Sequence, residues 1–135
     1  MLNPISSIMV EDFKVLPLDS TLAQARAFFS KYRLHSAPVV DVNGQCFGIL
    51  SSIDLLHFCN EGENFQAKLT WEVCTHEIVK TEPQATIAEA TNLMVEKNVS
   101  QLIVLEGKTI IGVLSGVDVL KSITSGKVIP QNAGG

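Results

Sequence analysis

Long apolar runs, paired cysteines and clustered basic residues are all lacking in this chain of 135 residues. The longest apolar stretches, QLIVLEG and TIIGVLS, fall far short of the ~20 residues that a membrane-spanning helix needs. Cys46, Cys59 and Cys74 form no Cys-x-x-Cys pair and are odd in number, which argues against a disulfide framework or a zinc site. Their surroundings, GQCFG, LHFCN and WEVCT, suit small apolar fillers. The basic residues are scattered, and a net charge of −4 argues against nucleic acid as the main partner. The opening MLNPISSIMVEDF has neither the basic start nor the apolar stretch of a secretory signal, so a cytoplasmic location is expected.

Catalytic signatures are missing as well. GVLSG is no Gly-x-Ser-x-Gly elbow, because Val113 rather than glycine precedes the Leu-Ser pair. THEIVK starts like a zincin helix, yet no second histidine follows at the required spacing. TSGKV lacks the upstream glycine of a phosphate-binding loop, and His57 and Cys59 lie too close in sequence to share one helix face. No enzyme activity, catalytic cofactor or metal site is therefore expected.

What the chain does hold is an apolar fraction of 46% with 18% charged residues, enough for a compact core, and a pattern written twice. Shifting the chain by 65 residues lays STLAQARAFFSKYRLHSAPVVD over ATIAEATNLMVEKNVSQLIVLE. Thr21, Ala23, Ala25 and Val39 then fall on Thr86, Ala88, Ala90 and Val104. After a loop one residue shorter, GILSSID (48–54) falls on GVLSGVD (112–118). Each copy reads as a short extended piece (FKVLP, EIVKT) and a helix with apolar residues at helical spacing. A buried strand (APVVD, QLIVLE), a tight turn, a second strand (CFGILS, TIIGVLS) and a second helix follow. Asn43-Gly44 is a strong hairpin signal. The expected fold is α/β (α+β), two β-α-β-β-α repeats. The expected division is a first repeat over 1–60, a connector over 61–70, a second repeat over 71–125 and a flexible tail over 126–135.

Gly-x-x-Ser-x-x-Asp has two compatible readings. Ser51 with Asp54, and Ser115 with Asp118, match a capping box, serine at the N-cap and an acid three residues on. The glycine before each cap allows close packing of strand on strand. A strand that runs into a helix start is also expected to present free amides and a positive dipole end to an anion. The serine hydroxyl would join those donors, and an aspartate one turn in would accept ribose hydroxyls, as acids do in dinucleotide folds.

The residues LHSAPVVD…GILSSIDLL and VSQLIVLE…GVLSGVDVL together resemble the CBS domain (cystathionine-β-synthase domain), which occurs in tandem pairs. The resemblance runs from about Ser6 to Ile123. It implies two repeats packed around a pseudo-two-fold axis with two clefts, one or both of them taking an adenosine nucleotide (AMP, ADP or ATP). The aspartates would hold ribose and the serine hydroxyls would lie near phosphate. One cleft would combine Ser115 and Asp118 with Thr21, Leu34 and Ser36; the other would combine Ser51 and Asp54 with Thr86, Val99 and Gln101. Adenine would bond to backbone beside Leu34 or Val99. His35 stands where some nucleotide-binding repeats carry a basic residue that touches phosphate. The second copy has Ser100 there, and Ile103 in place of the usual proline, which makes its pocket less cationic. Such a module would act by sensing a ligand and signalling to an effector protein or to its own oligomer. The alternative is a ligand-free module that forms a homodimer through its helices, with Phe28, Phe29, Leu55, Leu56 and Val119 as the candidate face, about half of them expected in the core instead.

Overall fold

The computed structural model describes residues 1–62 and 64–130, which form two compact units. The unit Lys14–Ile78 contains β1 (Leu16–Pro17), α1 (Leu22–Tyr32), β2 (Ser36–Val40), β3 (Cys46–Ser51), α2 (Ser52–Asn60) and a single turn α3 (Thr70–Val73). The other unit joins Met1–Phe13 to Val79 and the residues after it. It contains a 3-10 turn (Ile5–Ser7), β4 (Lys80–Thr81), α4 (Ile87–Lys97), β5 (Gln101–Glu106), β6 (Thr109–Ser115) and α5 (Gly116–Thr124). The β-α-β-β-α order of both repeats is as the sequence implied.

Each unit carries a three-stranded sheet of the same topology. The first strand runs parallel to the second, and the second antiparallel to the third. Matching registers follow the sequence offset: Val39 faces Gly48 and Val104 faces Gly112. Both hairpins turn on glycine. Gly44 takes φ +79° in a turn whose Asp41 Oδ1 accepts from Asn43 N–H at 2.9 Å and Gln45 N–H at 3.0 Å. Gly107, at the first central position of a two-residue turn, takes φ +65° as a type II′ turn requires.

The helices start and stop for local reasons. Thr21 caps α1 in a full capping box with Gln24, and Thr86 Oγ1 accepts from Glu89 N–H at 3.1 Å to cap α4. Both helices end on a left-handed residue, Arg33 and Asn98, each with φ 53°. The next amides, Leu34 and Val99, bond back to Phe29 and Met94 carbonyls at 3.0 Å, a Schellman closure. Beneath them lie two cores. Leu16, Leu22, Phe29, Val39 and Leu50 anchor one; Ile87, Met94, Leu102, Val104 and Leu114 anchor the other.

The segment that precedes each repeat packs on the other repeat's strands and helix. Thr70 N–H donates to Ser20 O at 2.7 Å, and Leu22 N–H to Lys68 O at 3.0 Å. Thr75 bridges Ile49 with two bonds of 2.9 Å. In the other unit Ile5 N–H donates to Ala85 O at 2.8 Å, Ile87 N–H to Asn3 O at 2.9 Å, and Val10 bridges Val113. Every residue in the second set lies 65 positions from its counterpart, except Val113, which follows the 64 offset of its strand. Ile5 is fully buried there, and burying such a side chain stabilises by roughly 2 kcal/mol. Much of the stretch expected as a connector is thus docked, with the Phe65 ring tilted against Phe58, centroids 5.2 Å apart.

These crossing segments explain the glycines. A Cβ on Gly48 would fall on the Thr75 carbonyl oxygen, and one on Gly112 would lie 2.7 Å from Met9 Sδ and 3.2 Å from Val10 O. Of the stretch expected as a tail, residues 126–130 are held in place. Val128 is buried, its N–H bonds to Ser122 O at 3.1 Å, and Ile129 O accepts from the Met1 amine at 3.0 Å. Ser122 stands where the first repeat has Phe58, and Val128 supplies apolar bulk that serine lacks. Residues 131–135 lie outside the described residues. Among the described residues, no helix is long and apolar enough to cross a membrane.

Candidate functional site

Both Gly-x-x-Ser-x-x-Asp turns are built to the same plan. Asp54 Oδ2 accepts from Ser51 N–H at 2.8 Å and Ser51 Oγ–H at 2.9 Å, while Ser51 Oγ accepts from Asp54 N–H at 3.3 Å. Asp118 Oδ2 accepts from Ser115 N–H at 2.8 Å and Ser115 Oγ–H at 2.9 Å, and Ser115 Oγ accepts from Asp118 N–H at 3.1 Å. Each box uses Oδ2 and not Oδ1, and all four side chains are half-buried.

The expectation of open amides at these helix starts is not met. Besides the two amides inside each box, Ser52 N–H donates to His35 O at 2.8 Å and Gly116 N–H to Ser100 O at 3.0 Å. Three of the first four amides are therefore taken, because the residue just before β2 or β5 supplies a carbonyl where a phosphate would have to bond. The sheet ladder brings further candidates to the same turns: Ser36 pairs with Ser51, and Gln101 with Ser115. Leu34 and Val99 are half-buried at the starts of β2 and β5, where the helix closures put them, and His35 is exposed. Thr21 and Thr86 sit at the N-caps of α1 and α4, hydroxyls engaged.

A cavity of about 270 Å³ opens beside Asp54, lined also by His57, Phe58, Glu61, Glu72 and Val73. A second, of about 430 Å³, lies between α4 and α5 and includes Val99, Ser100, Gly116, Val119 and Leu120.

A family model of the CBS domain matches residues 5–61 and 71–125. The chain belongs to the CBS-domain family. Among solved structures it is similar to CBSX2 in complex with AMP (TM-score 0.82, 20% identity, covering 93% of this chain and 99% of that one). It is also similar to the CBS domain pair of MJ0100 in complex with 5′-methylthioadenosine and S-adenosyl-L-methionine (TM-score 0.83, 17% identity, covering 95% and 100%). At these identities the likeness shows the fold. A curated relative, the 5′-AMP-activated protein kinase subunit gamma-3 of Sus scrofa, is 24% identical over 123 residues, 83% of this chain. The chain spans only 23% of that subunit's length.

Several residues of the two CBS repeats lie where sequence reasoning did not put them. Of the suggested helical interface, Phe29, Leu55 and Val119 are buried core, because each points to the sheet at helical spacing. Phe28 is half-buried and Leu56 is 61% exposed. On α2 and α5 the large apolar residues that face outward are Ile53 and Leu56 and their counterparts Val117 and Leu120. Glu61 and Glu72 were not foreseen beside Asp54, since Glu72 arrives on a crossing segment 18 residues later in the chain. The i, i+3, i+7 spacing of Asp54, His57 and Glu61 was the available signal. Of the three cysteines, Cys59 is exposed rather than a filler, Cys46 is half-buried and Cys74 is buried. Burial, with the Asp54 charge adding to it, pushes the Cys74 thiol from 9.0 up to about 11.

Proposed function

We propose that this CBS pair is a regulatory, non-catalytic module that binds an adenosine-containing nucleotide at its Gly-x-x-Ser-x-x-Asp turns. AMP, ADP and ATP are the candidate ligands, and occupancy is passed to a partner protein or to the module's own oligomer. Asp54 and Asp118 are assigned to ribose hydroxyls, Ser51 and Ser115 to the phosphate side, and backbone beside Leu34 or Val99 to adenine. Thr21, Thr86, His35, Ser36 and Gln101 are supporting residues in the same assignment. The observation that carries it is the matched hydroxyl–carboxylate pair, kept in near-identical geometry in both repeats although most surrounding residues have diverged. That two of the solved CBS structures similar to this chain hold AMP, or methylthioadenosine and S-adenosylmethionine, supports the ligand class.

Energetics permit the exchange. A capping interaction is worth about 1 kcal/mol. Two hydrogen bonds from ribose hydroxyls to a carboxylate are worth about 1.5–3 kcal/mol each, so ligand can draw the aspartate out of its box. Thermal unfolding of the full chain with AMP, ADP, ATP, NAD and S-adenosylmethionine tests this. A ligand at 100 times its dissociation constant is expected to stabilise by about 2.7 kcal/mol, and Asp54→Ala with Asp118→Ala to abolish the shift. No shift with any of the five would refute it.

A second reading, a homodimer, is favoured by one observation. Ile53 and Leu56 are 58% and 61% exposed, and their counterparts Val117 and Leu120 57% and 65%. Apolar residues exposed at the same positions of both repeats fit a helical interface with a second copy. Sedimentation equilibrium is expected to give twice the chain mass, and Leu56→Asp with Leu120→Asp a monomer. A wild-type monomer at high concentration would rule the dimer out.

A further inference from the structure

Although the two turns share one hydrogen-bond plan, the charges around them are opposite in sign. Beside Asp54 the cavity adds Glu61, Glu72 and His57, and Lys68 lies 3.6 Å from Glu72. At the corresponding positions of the other repeat, His57 is replaced by Lys121, Glu61 by Ser125 and Glu72 by Ser7. Lys127 reaches into that region too, its Nζ donating to Ser7 O at 2.6 Å. With three of the first four amides at each helix start already bonded, backbone donors do not set the preference for an anion at either turn. The side chains must.

We infer that the two turns select different adenosine ligands: the Asp118 turn takes a phosphate-bearing one, and the Asp54 turn an uncharged or cationic one. This rests on the adenosine reading above. Lys121 and Lys127 offset the Asp118 carboxylate and leave a net positive surround for phosphate. Around Asp54 three carboxylates within one small cavity repel a phosphate, while a bare nucleoside or a sulfonium meets no such penalty. At ordinary ionic strength the Debye length is about 10 Å, so charges that line a turn act on a ligand held there with little screening.

Calorimetric titration of the full chain with AMP and with adenosine tests the assignment. AMP is expected to fill one site strongly, to lose that site in Asp118→Ala and to keep it in Asp54→Ala. Adenosine is expected to bind Asp118→Ala still. Adding Glu61→Gln and Glu72→Gln to Asp118→Ala is expected to raise the AMP-to-adenosine affinity ratio roughly tenfold, the effect of removing two partly screened unit charges. Both glutamines keep side-chain shape, and the one at 72 can still serve the cap of α3, so folding is retained. AMP binding that is equal at both turns, that survives Asp118→Ala but not Asp54→Ala, or whose ratio to adenosine stays within twofold in the glutamine variant overturns the inference alone. If neither AMP nor adenosine binds the wild type, the adenosine reading itself falls and this inference with it.

Discussion

Gly48→Ala is expected to be one of the most damaging single-methyl additions in the chain. Its new Cβ would meet the Thr75 carbonyl oxygen, a backbone atom that cannot swing aside. To make room, the crossing segment must leave β3 and break the pair of 2.9 Å bonds between Ile49 and Thr75. Two such bonds are worth about 1 kcal/mol each, and overpacking a core adds about 1–3 kcal/mol. Loss of chain entropy in the unfolded state returns a few tenths of that, about 0.4–1 kcal/mol. The net loss should be about 3 kcal/mol. Gly112→Ala is the control, because its Cβ first meets the flexible Met9 side chain and only then Val10 O at 3.2 Å. That change should cost about 1 kcal/mol. Urea denaturation followed by circular dichroism reads both, and amide exchange at Ile49 and Thr75 should quicken in Gly48→Ala alone. Equal losses in the two variants, or a Gly48→Ala protein as stable as wild type, would refute the view that these glycines exist to admit the crossing segments.

Ser51→Ala and Ser115→Ala each remove a cap and should lower stability in urea by about 1 kcal/mol without ligand; no loss in either would show the boxes to be idle. Alkaline pH should act through Cys74. Its thiol ionises near 9.0 in the unfolded chain and near 11 in the fold, so the folded state holds the proton longer. The resulting stabilisation is complete below pH 9 and is lost as pH rises toward 11, about 3 kcal/mol in all. Cys74→Ala should flatten that part of the stability–pH curve relative to wild type, and identical curves would contradict the assignment. Val128→Ser should lower the stability of its unit by about 1–2 kcal/mol in the same urea assay, since it trades buried aliphatic surface for a hydroxyl; an unchanged midpoint would place the residue outside the core.

The elements that repeat in sequence were readable because burial and backbone geometry both constrain them. Thr21 and Thr86 cap, Leu22 and Ile87 are buried, and Gly48 and Gly112 precede a serine, so the offset survives in letters. The crossing segments were not readable. Residues 1–13 and 66–78 occupy equivalent positions yet share no identical residue. Their docking runs through backbone bonds, which specify no side chain, and the buried place of Ile5 is taken by Thr70, whose hydroxyl pairs with Ser20 Oγ at 3.0 Å. The capping boxes at the candidate site were likewise visible in Ser-x-x-Asp. The loss of open amides was not, because it depends on the carbonyls of His35 and Ser100 arriving from just before a neighbouring strand. Exposure on α2 and α5 was legible only in part: periodicity marks an apolar face, but which of Leu55 and Leu56 turns inward depends on where the sheet lies.

A crystal structure of the full chain grown with AMP would test the central claim most directly. It is expected to show a ribose hydroxyl within hydrogen-bond distance of the Asp118 carboxylate, with the bond from Ser115 N–H to Oδ2 lengthened or broken. AMP bound away from both aspartates, with the two capping boxes intact, would contradict the account.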